Sequence, residues 1–137
     1  MLIQKRGNAS IKWFPKLAST VFELGDAVSF NQAGAVIRAT STSTNIIGII
    51  KRAVNTTDTD YASASLVPVQ VINDTDEIEI DASTTVTTAM IGTSRDLSNA
   101  STLNVGAGAT VNQVRILSIG STTSKAVVSL VKNALQV

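Results

Sequence analysis

Cysteine and histidine are both missing from this chain of 137 residues. Without cysteine, neither a disulfide framework nor a thiolate metal site can form. Without histidine, the chain lacks the side chain most often used as a general base or a zinc ligand, and Ser-His-Asp and Cys-His arrangements cannot be built. These absences exclude the commonest catalytic mechanisms, although carboxylates, Lys, Ser, Thr and one Tyr remain for chemistry. We expect a protein that is not an enzyme and that has no catalytic residues, no metal site and no cofactor.

Charged residues are scarce, at 15% of the chain, whereas ordinary globular domains have about 25%. Eleven basic residues balance ten acidic ones, so the net charge is only +1. Binding to nucleic acid depends on a concentrated positive face, which this composition does not favour. A surface made largely of Ser, Thr, Asn and Ala suits lasting contacts with other proteins, because few charges have to be buried there.

Long hydrophobic runs are also absent, although 44% of the residues are hydrophobic. No apolar stretch approaches the roughly 18–20 residues of a membrane helix, and the first residues lack the apolar region of a secretory signal. We therefore expect no membrane contact and no conventional secretion. Aromatic residues number only five.

Residues that favour β-strands dominate what is present. Val, Ile and Thr are abundant, and turn residues interrupt the apolar stretches at short intervals, as in sandwiches and barrels. Residues 19–137 are predicted to form a single all-β domain. Strands are expected over 19–23, 27–30, 35–40, 46–50, 66–72, 77–81, 111–119 and 126–131.

Three positions in these strands carry further information. Gly48 lies inside the stretch IIGII, which indicates a bulge or a close approach of another backbone. Pro68 cannot donate to a sheet, so its strand is expected at an edge or with a bulge. Residues 77–81 read EIEID, with carboxylates on one face and isoleucines on the other. Residues 83–104 show no clear pattern beyond a possible short helix near 87–91.

Residues 1–18 form a basic segment with no acidic residue before Glu23. The segment contains Trp13-Phe14-Pro15, and a residue before proline favours extended geometry. A frayed terminus is one interpretation. However, a frayed terminus rarely carries the only tryptophan, and tryptophan is enriched at interface hot spots. We therefore predict an extended N-terminal arm that binds a partner through Lys5, Arg6, Lys12, Trp13, Phe14 and Pro15.

Acidic side chains cluster over residues 74–81. The cluster lacks the glycine that a calcium loop of the EF-hand type requires, and it continues as a strand. Paired carboxylates such as Glu77 and Glu79 could serve a glycoside hydrolase. Alternating acids on one strand are much more often a solvated face, which is the interpretation we adopt.

The order of the strands resembles a known family. Residues 20–28 read TVFELGDAV, residues 34–40 read GAVIRAT and residues 46–50 read IIGII. This sequence of strand, Gly-Asp turn, strand and Ile-Gly-Ile is similar to that of small capsid decoration (cement) proteins of tailed bacteriophages. Residues 90–93, MIGT, are compatible with it, and the resemblance covers most of residues 19–131. The basic arm has no counterpart in the family pattern.

The resemblance implies a compact β-tulip or barrel-like fold with an extended N-terminal arm. It also implies a homotrimer on the outer surface of the virion, assembled in the host cytoplasm. Its partner would be the major capsid protein, whose subunit contacts it would stabilise, and no nucleic acid, membrane or small-molecule substrate is expected. An alternative is a carbohydrate-binding or host-adhesion module on a virion or fibre, which would be favoured by an exposed Tyr61 beside Asp58 and Asp60.

Overall fold

The computed structural model describes residues 1–7 and 10–131, and its regular structure there is almost entirely β. The strands are β1 (Ile3–Arg6), β2 (Ser10–Pro15), β3 (Ala27–Phe30), β4 (Val36–Arg38), β5 (Ile46–Ile50), β6 (Leu66–Val71), β7 (Glu77–Ala82), β8 (Ser94–Asn99), β9 (Thr102–Asn104), β10 (Val114–Ile119) and β11 (Lys125–Leu130). A 3₁₀ turn spans Thr88–Met90. The predicted all-β class is confirmed. Within these two ranges no helix is long and apolar enough to cross a membrane.

The first sheet closes on itself as a five-stranded barrel in the order β7-β11-β10-β8-β9. A short parallel contact between β9 and β7, with Asp81 opposite Thr102, completes the ring. The alternation of β7 explains which side faces inward: Ile78 and Ile80 are buried inside the barrel, while Glu79 and Asp81 point outward. The predicted separation of isoleucines and carboxylates is therefore confirmed. β1 adds to the outer part of β7.

The second sheet is antiparallel throughout, in the order β2-β6-β5-β3-β4. It curls so that the residues just after β2 reach the start of β4, where Leu17 N donates to Val36 O at 3.0 Å. Inside the curl the rings of Phe14 and Phe30 pack edge to face, with centroids 5.2 Å apart. The curl encloses a small core of its own. The barrel packs on the opposite face of this sheet, where Ile49 joins the barrel core.

Residues 1–18 are extended, yet their two strands pair with the chain's own sheets. β1 lies along β7, and β2 lies along β6 with six residues in register. Leu2 is buried in the barrel core, and its N–H donates to Gly25 O at 2.9 Å. The segment therefore contributes to both sheets of the folded chain, and only part of its surface is available to a partner.

Two strand predictions are wrong in detail. Residues 19–23 do not form a strand: Ser19 has a positive φ of 55°, and only Phe22 makes a bridge, to Val54. β6 is not an edge strand, since β2 flanks it on one side and β5 on the other. Pro68 is tolerated in this interior strand because its backbone groups face away from β2 and toward Lys51, just past the end of β5 at Ile50.

Residues 83–104, for which the sequence showed no clear pattern, contain β8 and β9. β8 reads SRDLSN, and Asp96 and Leu97 are its only buried residues. β9 has three residues, with Leu103 buried. Strands this short and polar lack the period-2 signal that sequence patterns depend on. The short helix expected near 87–91 is present as the 3₁₀ turn at Thr88–Met90.

Candidate protein-docking face

The structure separates the six predicted binding residues into two groups. Lys5 and Arg6 lie on β1 beside the barrel, where Lys5 Nζ is 3.9 Å from a Glu79 oxygen and Arg6 Nε is 3.5 Å from a Glu77 oxygen. Their charges face carboxylates of the same chain. The other four residues, Lys12 to Pro15, lie together on β2.

Successive side chains of β2 point to opposite faces of the sheet, and Phe14 is the one among them that is partly buried. Phe14 points into the core of the second sheet, where it packs on Phe30. Trp13 points the other way and keeps 60% of its surface exposed. A tryptophan this exposed contributes little to the fold, because burial of its apolar surface is the main stabilising effect available to it. Trp13 is therefore free to bury that surface against a partner.

Trp13 belongs to a continuous apolar surface. Pro68 lies directly across from it on β6, and Leu66 lies across from Pro15. Leu66 is 55% exposed and Ile11, two residues before Trp13, is 47% exposed. Residues opposite each other on neighbouring strands share a face. We call Ile11, Trp13, Pro15, Leu66 and Pro68 the docking face.

The docking face is exposed because the barrel covers only part of this side of the sheet. Gln70 lies opposite Ile11 on β6, and Ile49 lies opposite Gln70 on β5; both are buried under the barrel. The side-chain amide of Gln70 contacts that of Gln4 on β1. Trp13 and Pro68, the next facing pair on the same side of the sheet, extend past the barrel. Clustered exposed apolar groups of this kind are typical of interaction sites.

Lys16 holds the end of β2 in place, which the sequence did not reveal. Lys16 belongs to the basic segment of residues 1–18, yet its side chain is completely buried. Its Nζ donates to Tyr61 O at 2.9 Å and to Ser63 O at 2.5 Å. Since these carbonyls belong to the loop before β6, Lys16 ties that loop to the strand that bears Trp13. No sequence pattern separates a buried lysine from an exposed one.

Most other charges of the described residues are engaged within the chain. Arg52 donates to both oxygens of Asp60, at 2.6 and 2.7 Å, and with Ser65 lowers the pKa of Asp60 to about 2. The N–H of Ser121 holds the pKa of Glu79 below its ordinary value, against the effect of burial. Five cations in residues 1–7 and 10–131 have no ion-pair partner: Lys12, Lys16, Lys51, Arg95 and Arg115. Of these, Lys16 and Arg95 donate to backbone carbonyls instead.

Asp96 organises the loop that follows β9. Its carboxylate accepts hydrogen bonds from the N–H groups of Thr110 and Val111 at 2.7 and 3.0 Å, and from Gln113 N at 3.2 Å. Burial opposes the charge of Asp96, but these donors outweigh it, and the pKa of Asp96 lies below its ordinary value. The role of this carboxylate is structural, because its oxygens are occupied by the chain's own donors.

Acid should therefore destabilise the protein. The carboxyl groups of Asp60, Glu79 and Asp96 each have a lower pKa in the folded state than in the unfolded state. The unfolded state therefore binds more protons below about pH 4. Their stabilisation is complete above the unfolded pKa and is lost as the pH falls toward about 2, the pKa of Asp60. With no histidine to titrate, the urea midpoint should stay level between pH 6 and 8 and fall steadily below pH 4.

Asp60→Asn identifies the source of part of this effect. The asparagine cannot be protonated in this range, so the variant should be less stable at pH 7 and should lose less stability between pH 4 and pH 2. If the urea midpoint of Asp60→Asn fell between pH 4 and pH 2 as much as that of the wild type, the Arg52–Asp60 contact would not contribute to acid destabilisation.

The structure offers little to the rival interpretations. Tyr61, which a glycan platform would require to be exposed, packs against the core of the second sheet, and Asp60 is bound by Arg52. Glu79 is buried under Ser121, so it cannot act with Glu77 on a sugar. In the described ranges no three potential ligand side chains converge on a metal position.

A cleft of about 240 Å³ lies where the barrel meets the second sheet. Ile46, Ile72 and Leu130 contribute apolar surface to it, and among the described residues no acidic or basic side chain lines it. The side-chain amide of Gln113, at its rim, already donates to Thr40 O and Ser43 O. The polar side chains that line the cleft are hydroxyls and amides, such as Ser43, Thr44 and Asn45.

Of the predicted residues, the structure thus places Trp13 and Pro15 on the docking face. It adds Ile11, Leu66 and Pro68 to them. The pairing of β2 with β6 creates this surface, and pairing partners cannot be derived from a single sequence. A comparison of the chain with models of protein families finds no match, and a comparison with curated proteins finds no significant one. The docking face is therefore the feature from which a function has to be inferred.

Proposed function

We propose that this protein is a structural component of a tailed-phage virion, which binds the outer surface of the capsid and stabilises contacts between major capsid protein subunits. The observation that carries the proposal is the docking face, with Trp13 60% exposed on a strand whose outer side is open. Exposed Trp beside aliphatic side chains is the composition of an interface hot spot. The family resemblance of residues 19–131 supplies the capsid as the partner.

The distribution of charge supports this function. A protein that covers a shell makes many lasting contacts, and every unpaired charge in such a contact has to be desolvated. Here most ionic groups are paired within the chain, and the docking face contains no charged side chain. The protein acts without a cofactor or substrate, and its role is to hold other subunits together.

A homotrimer fits the proposed role. Each copy presents one docking face, and linking three weak contacts raises the overall affinity far above that of one contact. Native mass measurement of the purified protein should give three times the chain mass of 14.3 kDa. A monomer that still binds shells would remove the trimer and leave the binding role in place.

Trp13→Ala should weaken binding to capsid shells about 30-fold or more, the effect of losing one hot-spot residue. The melting temperature should change little, because the side chain is mostly exposed in the free protein. Co-sedimentation with shells that lack decoration protein measures the first effect, and a thermal melt measures the second.

Ile91→Ala is the matched control. Ile91 is also an exposed apolar residue, but it lies beside the barrel at the 3₁₀ turn, away from β2. It should bind shells like the wild type. If Trp13→Ala and Ile91→Ala bind equally well, the docking face is not the contact with the capsid.

A further inference from the structure

The outer edge of β2 carries unpaired backbone groups, as the geometry around Pro68 shows. Pro68 has no N–H, and its C=O accepts a hydrogen bond from Lys51 N at 3.0 Å, on the side of β5. Trp13, directly opposite, therefore exchanges no backbone hydrogen bonds with Pro68. The N–H and C=O of Trp13 point away from β6, toward the open edge.

The residues that follow confirm this alternation. Lys16 N donates inward to Ser65 O, and Leu17 N donates outward to Val36 O, both at 3.0 Å. Ile11 and Trp13 have the same parity as Leu17, so their backbone groups face outward as well. Pro15 ends the edge, because it has no N–H to offer.

An open edge with free N–H and C=O groups is a template for another strand. We infer that an extended segment of the partner adds to β2 as a further strand, bonded to the backbone of Ile11 and Trp13. The identity of that partner as a capsid subunit rests on the proposed function, whereas the mode of binding rests on the edge alone. The free edge is short, so the segment makes few main-chain bonds and depends on side chains for the rest.

The side chains of β2 define what the segment must contain. Ile11 and Trp13 flank Lys12, which projects from the other face and has no ion-pair partner in the described ranges. Residues opposite each other in adjacent strands lie close enough to interact. The matching segment is therefore apolar, acidic and apolar in three successive residues, with the carboxylate opposite Lys12.

A second copy of this chain does not fit the edge. If two β2 strands paired antiparallel and used Ile11 and Trp13 of both copies, Lys12 would face Lys12, and like charges in that position are destabilising. The chain's own apolar–acidic–apolar triplets are also occupied. Phe22, in the triplet 22–24, is completely buried, and the overlapping triplets 78–80 and 80–82 lie within β7 of the barrel.

The test uses a short synthetic peptide in which valine and threonine alternate around a central aspartate, and a control peptide with lysine at the centre. Titration of the full chain, followed by backbone NMR, should shift the amides of Ile11 and Trp13 and favour the aspartate peptide about tenfold. In Lys12→Glu the preference should reverse, so that the lysine peptide binds better. This exchange leaves the backbone of β2 unchanged.

Ile11→Pro removes an outward N–H and none of the bonds between β2 and β6, so the variant should fold. It should bind the aspartate peptide about tenfold more weakly than the matched control Ile11→Ala, which also loses the side chain. Equal binding by these two variants, equal binding of both peptides, or no binding at millimolar concentration would overturn strand addition. So would a wild-type dimer that Ile11→Pro converts to a monomer, because the occupant would then be a second copy.

The capsid assay separates this inference from the proposed function. If Trp13→Ala loses shell binding but Ile11→Pro binds shells like Ile11→Ala, the docking face stands and strand addition fails. If Trp13→Ala binds shells normally while the peptide preference reverses in Lys12→Glu, the edge stands and the capsid proposal fails.

Discussion

Gly48→Ala is expected to destabilise the protein by about 3 kcal/mol or more, the upper range for adding a group to a filled interior. A Cβ at position 48 would lie 2.2 Å from Gln70 O and 2.8 Å from Val69 Cγ1. The first of these atoms belongs to the backbone of β6, so it cannot move aside as the end of a flexible side chain would. The strands β5 and β6 would have to separate at the centre of the second sheet.

Gly108→Ala is the control for this experiment, because nothing lies within 4 Å of the Cβ that it would add. Its free energy of unfolding should stay within about 0.5 kcal/mol of the wild-type value. Urea unfolding at neutral pH measures both variants. If Gly48→Ala were as stable as Gly108→Ala, the close approach of β5 and β6 at this glycine would not exist in solution.

Lys16→Met should lower the free energy of unfolding by about 2–4 kcal/mol. Methionine keeps a similar length but cannot donate, so the Ser63 carbonyl loses its bond from Lys16 and the Tyr61 carbonyl keeps only the one from Ser19 N. Removing a buried charge also relieves its desolvation, which acts in the opposite direction. We expect the loss to be larger, since two hydrogen bonds from a charged donor are removed at the same time.

Lys12→Met provides the comparison on the same strand. Lys12 is exposed and has no ion pair in the described ranges, so its replacement should change stability by about 0.5 kcal/mol or less. Lys16→Met should in addition increase hydrogen exchange in the loop over residues 55–65, which Lys16 holds against β2. Equal stability of the two variants would show that the Lys16 ammonium is not needed in the fold.

Local patterns in the sequence predicted much of the sheet structure, because their causes are local. The alternation of residues 77–81 places isoleucines in the barrel, and the glycine within IIGII marks a close backbone approach. Trp13 was also singled out from the sequence as a contact residue, since a large aromatic in a polar segment has few other roles, and the structure shows that it is 60% exposed. Each of these inferences uses only neighbours along the chain.

What could not be predicted depends on pairing between distant residues. Leu66 and Pro68 become part of the docking face only because β2 lies in register with β6. Lys16 looks like the other cations of its segment until the loop before β6 folds over it. The same limit explains Pro68. Its missing N–H suggested an edge strand, but Pro68 faces Trp13 at a position where β2 and β6 exchange no hydrogen bonds.

The first two strands have consequences for synthesis on the ribosome. Ile3 pairs with Glu79 and Ser10 pairs with Val71, so each strand waits for a partner made some sixty to seventy-five residues later. At a synthesis rate of about 5–20 residues per second, that delay is on the order of 5 s. During it, the nascent chain displays two unpaired strands and its tryptophan, and such long-range pairing also slows folding. We therefore expect chaperone dependence and low soluble yield to be concentrated in this early window, and slower translation after residue 15 to make both worse.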